Sequence, residues 1–268
     1  MRHFVKMRFL TPFLAPFLAG LLGACAEPAL IHRPPLAQRI FDAGKEGQAA
    51  YLKGHLPRAQ RLFEQALRDA TSIEDSEGVA VMSLNLARVA RELGASADAL
   101  ARLESVSAWH RRHSPAHLDQ EIDLLAAVLL ADLGRVEESL TRLRALREKC
   151  PQECALSMGA DSLQARLMLE KGEATAALAL ASAALDRFST HGNRQEVANL
   201  FRVQGEARLA LGDFATARQA LEAALTIDKT LALPAKIALD LDALSHAAQD
   251  SAAHARYQER LDELKQAR

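Results

Sequence analysis

The stretch GEARLALGDFATARQALEAAL, residues 205–225, decides the fold, because its small residues are spaced for two helices that turn back on each other. Gly212 divides the stretch, with Gly205 seven positions before it, Ala217 five after it and Leu221 nine after it. A glycine can end a helix in the left-handed conformation without a Cβ penalty. Two antiparallel helices approach closely only where the side chains at their crossing are small. The stretch therefore predicts a helical hairpin.

The same spacing recurs along most of the chain. The dividing glycines are Gly54, Gly94, Gly134, Gly172 and Gly212, which stand 40, 40, 38 and 40 residues apart. The residues seven positions earlier are Gly47, Ala87, Ala127, Ala165 and Gly205, and those five positions later are Ala59, Ala99, Ser139, Ala177 and Ala217. A larger apolar residue stands nine positions later in every unit except the fourth, which has Ala181. The chain is thus predicted to repeat a hairpin about every 40 residues.

The composition favours a folded, all-helical protein and excludes several classes of function. Of the 268 residues 49% are hydrophobic, and the abundant Ala and Leu are strong helix formers. Lys and Arg number 33 against 34 Asp and Glu, so no strong positive field exists to attract nucleic acid. The sequence lacks a G-x-S-x-G elbow, a glycine-rich phosphate loop and an H-E-x-x-H motif, so we expect no enzyme and no cofactor.

The repeats resemble those of the tetratricopeptide repeat (TPR) family. Residues 47–67 and 205–225 show its small–x6–Gly–x4–Ala–x3–large–x2–Ala pattern, and residues 83–103 are similar to the longer repeats of the kinesin light chain type. A weaker sixth unit starts at Pro234. The resemblance implies an all-α, right-handed superhelical solenoid of five to six hairpins over residues 40–268. HEAT and armadillo repeats share the longer period and stay open as an alternative.

In this family the first helix of each hairpin lines a concave groove that binds protein partners. The resemblance implies that the groove includes Tyr51, Asn85, Arg88, Arg91, Arg166, Arg202 and Glu206. Arg88, Arg166 and Arg202 are candidates for bidentate pairing with a partner's carboxylate. Glu206 lies one helical turn after Arg202, so a pair between them would neutralise part of this charge. The alternative is that these side chains are solvated charges on an exposed helix face.

The N-terminal segment has the pattern of an export signal. Arg2, Lys6 and Arg8 precede a mainly apolar run over residues 9–22 that is too short to cross a bilayer as a helix. Leu22-Gly23-Ala24-Cys25 resembles a bacterial lipobox, which implies removal of residues 1–24 and lipidation of Cys25. Ala26 stands where an Asp would imply retention at the inner membrane. The resemblance therefore implies an outer-membrane lipoprotein that faces the periplasm, with residues 25–39 as an extended, proline-containing tether.

A cysteine pair and a histidine cluster each have two possible roles. Cys150 and Cys154 are a candidate disulfide in an oxidising compartment, with a metal or redox pair as the alternative. His110, His113 and His117 lie near Trp109 and are a candidate metal site. Arg111 and Arg112 oppose metal binding there, so we expect an inter-repeat loop and no metal site.

The sequence therefore predicts a lipid-anchored periplasmic scaffold or adaptor. Its groove would bind a protein or peptide partner in an envelope, secretion or pilus assembly, and its membrane contact would come from the N-terminal lipid. Alternatives are a pilotin-like assembly factor and an envelope protein that binds a small molecule or a metal.

Overall fold

The computed structural model describes residues 34–266 apart from 114–117, 151–153, 155 and 189–192. All regular secondary structure in this part of the chain is helical. The helices are α1 (Pro35–Leu52), α2 (Leu56–Ser72), α3 (Ser76–Glu92), α4 (Ser96–His113), α5 (Asp119–Asp132), α6 (Val136–Lys149), α7 (Ser157–Glu170), α8 (Ala174–Phe188), α9 (Arg194–Ala210), α10 (Phe214–Thr230), α11 (Pro234–Ala247) and α12 (Ser251–Gln266). The predicted signal peptide and Cys25 lie outside the described residues.

The helices pair into six antiparallel hairpins, α1/α2 to α11/α12, and five of them turn at the predicted glycines. The φ angles of these glycines lie between +72° and +81°, in the left-handed region. In the first hairpin the Gly54 N–H donates to the Tyr51 carbonyl and the His55 N–H to the Ala50 carbonyl, both at 2.9 Å. Equivalent hydrogen bonds close the other four glycine turns, as in a Schellman motif. The predicted all-helical hairpin repeat is confirmed, including the sixth unit that starts at Pro234.

The small residues lie where the two helices of a hairpin cross. A Cβ atom on Gly47 would stand 2.7 Å from Phe63 Cε1, and one on Gly205 would stand 2.5 Å from Leu221 Cγ. These approaches are shorter than van der Waals contact, so alanine at Gly47 or Gly205 would force the facing side chain to move. The second and third hairpins instead combine an alanine on the first helix, Ala87 or Ala127, with a leucine on the second. The fourth hairpin differs in having the fully buried alanines Ala165 and Ala181 at the corresponding positions.

The hairpins stack so that each covers the apolar face of the next. Two of the connections between hairpins also contain left-handed residues, although neither is a glycine: Glu74 has a φ of 54° and Ala232 a φ of 52°. At the connection between α6 and α7, Cys150 and Cys154 form a disulfide with their Cα atoms 5.7 Å apart. The disulfide closes the junction between the third and fourth hairpins.

The helical domain begins earlier than the sequence pattern indicated. We placed residues up to Arg39 in the tether, but α1 starts at Pro35. Proline suits the first turn of a helix, where its missing N–H costs no hydrogen bond. Ile40 and Ala43 are then buried in the core of the first two hairpins.

No helix within the described ranges is both long enough and apolar enough to cross a bilayer.

Candidate functional site

The first helices of the hairpins form an inner layer. Each of α1, α3, α5, α7, α9 and α11 contacts the next helix of this set. Among the described residues, the backbones of the second helices lie farther apart, and long side chains bridge them, as where Arg142 Nη2 of α6 lies 3.2 Å from Glu104 of α4. A stack that is closer on one side is concave on that side, so the inner layer lines the concave face.

Two pockets open between helices of the inner layer. The N-terminal pocket lies between α1 and α3, has a volume of about 580 Å3, and is lined mainly by apolar groups such as Ile40, Val81 and Met82. The central pocket has a volume of about 490 Å3 and is lined by residues of α3, α5, α7, α9 and α11. Because α3 and α11 both reach it, the central pocket gathers five hairpins around one space.

The structure brings together four of the seven residues that the sequence placed in the groove. Arg91, Arg166, Arg202 and Glu206 line the central pocket. Asn85 lines the N-terminal pocket, and Tyr51 and Arg88 line neither. Tyr51 is half-buried between α1 and α3, and burial, followed by the charge of Glu92, raises the pKa of its hydroxyl.

All four predicted groove arginines have acidic partners within the protein. Arg88 Nη2 lies 3.7 Å from the Glu121 carboxylate. Arg166 Nη1 lies 3.3 Å from Glu170, one turn along the same helix. These charges are therefore compensated before any partner arrives.

Arg91 is held in the same way, across two hairpins. Its Nε donates to the carboxylate of Asp132 on α5. Burial alone would lower the pKa of the guanidinium, but the hydrogen bond and charge of Asp132 outweigh it and raise the pKa. Arg91 is therefore a fixed part of the pocket wall.

Arg202 does not have the role that we predicted for it. Its side chain is 8% exposed and points between α10 and α11, where Nε donates to Asp240 at 2.7 Å and Nη2 donates to Asp228. The expected pair with Glu206 is not formed, because the guanidinium turns away from that carboxylate into the interface between hairpins. Arg202 therefore stabilises the packing of α9 against α10 and α11. Glu206 has no ion-pair partner among the described residues.

The repeat pattern did not predict that α11 forms part of the wall of the central pocket. Lys236 and Leu239 line the central pocket opposite α3 and α7. The sixth hairpin has no glycine at its turn, so the spacing that located groove positions in the other hairpins ended at α9. Pro234 marks the start of α11, so the positions of α11 that face the pocket could have been counted from this proline.

The histidine cluster lies outside the described residues. His117 lies in an omitted segment, and the α4 side chains from residue 108 onward, including His110 and His113, are not described. Within the ranges that are described, no three His, Cys, Asp or Glu side chains are grouped as a metal site requires.

The geometry of the inner layer and its pockets defines an α-solenoid. No protein-family model matches the chain, and no curated protein matches its sequence. Solved structures match its fold. The Rap conjugation gene regulator of plasmid pLS20, solved in complex with the Phr* peptide, has a TM-score of 0.69 at 12% identity over 91% of this chain and 69% of its own.

Two further matches identify the type of solenoid. The thermophilic TPR protein TTC0263 from Thermus thermophilus has a TM-score of 0.58 at 18% identity, over 77% of this chain and 98% of its own. Pseudomonas aeruginosa pilF has a TM-score of 0.54 at 13% identity, over 85% of this chain and 100% of its own. The fold is therefore that of a TPR-like solenoid of six hairpins.

Proposed function

We propose that this chain is a scaffold or adaptor that binds a segment of a protein partner in its central pocket. The observation that carries the proposal is the pocket itself, which five hairpins of the inner layer surround on the concave face. Its walls combine apolar side chains, such as Val128 and Leu239, with charged groups, as protein-binding grooves do. The Rap regulator was solved with a peptide, which supports a peptide-binding role for a solenoid of similar fold.

We further propose that the scaffold is anchored to the outer membrane through a lipidated Cys25 and faces the periplasm. The lipobox-like residues 22–25 and the oxidising environment that a Cys150–Cys154 disulfide requires support this location. Such an anchor would hold the solenoid near envelope, secretion or pilus assemblies. No catalytic role is proposed.

The test is affinity purification of the full chain, with a C-terminal tag, from membranes of its own host. We expect the chain in the outer-membrane fraction together with a specific protein partner. Cys25→Ser should move the chain out of that fraction, because it removes the thiol that carries the lipid. Recovery of the wild-type chain without any protein partner would contradict the scaffold role.

The pilotin-like alternative has a separate readout. If the chain assembles a pilus or secretion component, its deletion should abolish the multimers of that component. Normal multimers together with a recovered protein partner would favour the general adaptor role.

A further inference from the structure

Most charged side chains of the central pocket already form ion pairs or hydrogen bonds within the protein. Arg91, Arg166 and Arg202 each pair with acids of the chain. Of the acids, Glu170 pairs with Arg166, and Glu196 accepts a hydrogen bond from the Asn199 amide at 3.1 Å. The charges in these pairs neutralise each other, so they contribute little to the attraction of a charged partner.

Two charged groups of the pocket differ from this pattern. Within the described part of the chain, no carboxylate lies within 4 Å of the Lys236 ammonium and no cation within 4 Å of the Glu206 carboxylate. Both side chains are only partly exposed and face the pocket. A partly buried charge without a counter-ion is unfavourable, so an incoming group of opposite sign is favoured there.

The surroundings of Lys236 and Glu206 make the charged form of each side chain less favourable. Burial lowers the pKa of Lys236, and the positive charges of Arg202 and Arg91 lower it further. Burial raises the pKa of Glu206, and the negative charges of Glu170 and Asp242 oppose the effect of nearby arginines. A carboxylate beside Lys236 and a cation beside Glu206 would each offset a cost that the free protein carries.

The two groups stand on neighbouring inner helices, Glu206 on α9 and Lys236 on α11. Leu239 is 52% exposed one turn after Lys236, and Leu169 lines the pocket on the α7 side. These apolar groups can cover the aliphatic stems of long side chains. The pocket therefore offers a negative and a positive position in fixed order between apolar walls.

We propose that the central pocket selects a partner segment that carries both an acidic and a basic side chain, the acid pairing with Lys236 and the base with Glu206. The proposal rests on the proposed protein-binding function and specifies the chemistry of the partner. A uniformly acidic segment would meet Glu206 and Glu170, and a uniformly basic one would meet Lys236 and Arg91. Like charges at close range disfavour both.

The test uses an array of synthetic 12-residue peptides with an Ala, Leu and Ser background. One Glu and one Lys are placed at every spacing and in both orders, and matched peptides have Gln in place of Glu, of Lys or of both. The probe is the purified, fluorescently labelled full chain. We expect the best peptides to carry both charges at one spacing and order, and to bind roughly tenfold more tightly than their neutral matches.

Variants connect each charge to its peptide partner. Lys236→Gln should abolish the advantage of Glu over Gln in the peptide, and Glu206→Gln should abolish the advantage of Lys over Gln. Lys265→Gln and Glu259→Gln, exposed on α12, are the matched controls and should bind as the wild type does. Lys236→Met is a second variant in case the first fails to fold, which circular dichroism checks.

Each outcome decides the proposal. Equal binding of charged and neutral peptides, preference for peptides that carry only the Glu or only the Lys, or unchanged binding by Lys236→Gln and Glu206→Gln would overturn it while leaving the protein-binding function intact. If no peptide binds and no partner is recovered from membranes, both the selectivity and the proposed function fail.

Discussion

The fourth and fifth hairpins each carry a buried ionic cluster, and the two clusters have opposite composition. In the fourth hairpin Asp161 of α7 accepts from Arg147 of α6 and Arg187 of α8, so one acid lies between two arginines. The arginines keep 42% and 35% of their side-chain surface exposed, and only the acid is buried. This cluster joins the hairpin to the preceding one at the edge of the solvent.

The fifth hairpin reverses the arrangement. Arg202 lies between Asp228 of α10 and Asp240 of α11, and the side chains of both acids are at most 1% exposed. One oxygen of each acid has no hydrogen-bond partner. Burial, opposed by the charge of Arg202 and helped by Asp228, raises the pKa of Asp240 to about 7. A proton held between the two acids would satisfy both oxygens and leave the cluster neutral.

The two clusters differ in how many charged groups are buried and in whether the arginines stay in contact with water. In the fourth hairpin two arginines that reach water compensate one buried acid, whereas in the fifth hairpin two buried acids depend on a single buried arginine. The fifth hairpin should therefore be sensitive both to loss of that arginine and to pH, and the fourth should be more tolerant.

Removal of the central arginine should have the largest effect. Arg202→Leu leaves two carboxyl groups buried without a cation, and we expect a loss of about 3–5 kcal/mol in the free energy of unfolding. Urea unfolding at neutral pH measures it. The triple variant Arg202→Leu/Asp228→Asn/Asp240→Asn should recover much of the loss, since it removes the charges together. A loss below about 1 kcal/mol for the single variant would mean that the cluster does not depend on this arginine.

The pH dependence of stability should follow from Asp240. Its pKa in the folded state is raised above the ordinary carboxyl value, so folding takes up a proton between about pH 4 and pH 7. The stability should therefore fall as pH rises through this range, by about 2 kcal/mol between pH 5 and pH 7. Asp240→Asn should remove most of this fall, and Asp262→Asn, exposed on α12, is the control. An unchanged slope in Asp240→Asn would exclude Asp240 as its source.

The helix crossings of the two hairpins should also respond differently. Gly205→Ala in the fifth hairpin forces a methyl group against Leu221, and we expect a loss of about 1–2 kcal/mol despite the better helix propensity of Ala. In a Leu221→Ala background, which imitates the Ala165–Ala181 pair of the fourth hairpin, the same change should be close to neutral. The better helix propensity of Ala is then offset by the Ala217 carbonyl oxygen, which stays 3.1 Å from the new Cβ. Thermal unfolding of the four proteins measures the coupling. Additive effects would show that Gly205 and Leu221 do not touch.

The smallest change should come from the acid of the fourth hairpin. Asp161→Asn removes the charge between two arginines, but both can turn further into water, so we expect a loss of about 1 kcal/mol. The loss should also vary with salt, because added ions screen the repulsion between Arg147 and Arg187. Urea unfolding at low and high ionic strength tests this. A loss as large as that of Arg202→Leu would remove the distinction between the clusters.

Much of the fold could be predicted because it depends on local steric rules. Gly212 and the other turn glycines identified the hairpin bends, and the small residues around them identified the crossings. The connections at Glu74 and Ala232 could not be predicted, since they place ordinary residues in a conformation that favours glycine.

The site was harder to predict because it depends on where long side chains point. Arg202 and Glu206 are one turn apart in sequence, yet Arg202 turns toward Asp240, which stands 38 residues away. A repeat pattern specifies the face of the helix but not this choice. Lys236 was missed because no turn glycine located its position in α11.

Site-specific photocrosslinking tests the central claim most directly. A photoreactive residue at Leu239, inside the central pocket, should trap a discrete protein in membranes of the host, and Lys236→Gln should weaken the trapping. The same residue at Glu259, on the outer face of α12, should trap nothing specific. Equal trapping at both positions, or none at Leu239, would contradict the claim that the concave pocket is where this solenoid holds its partner.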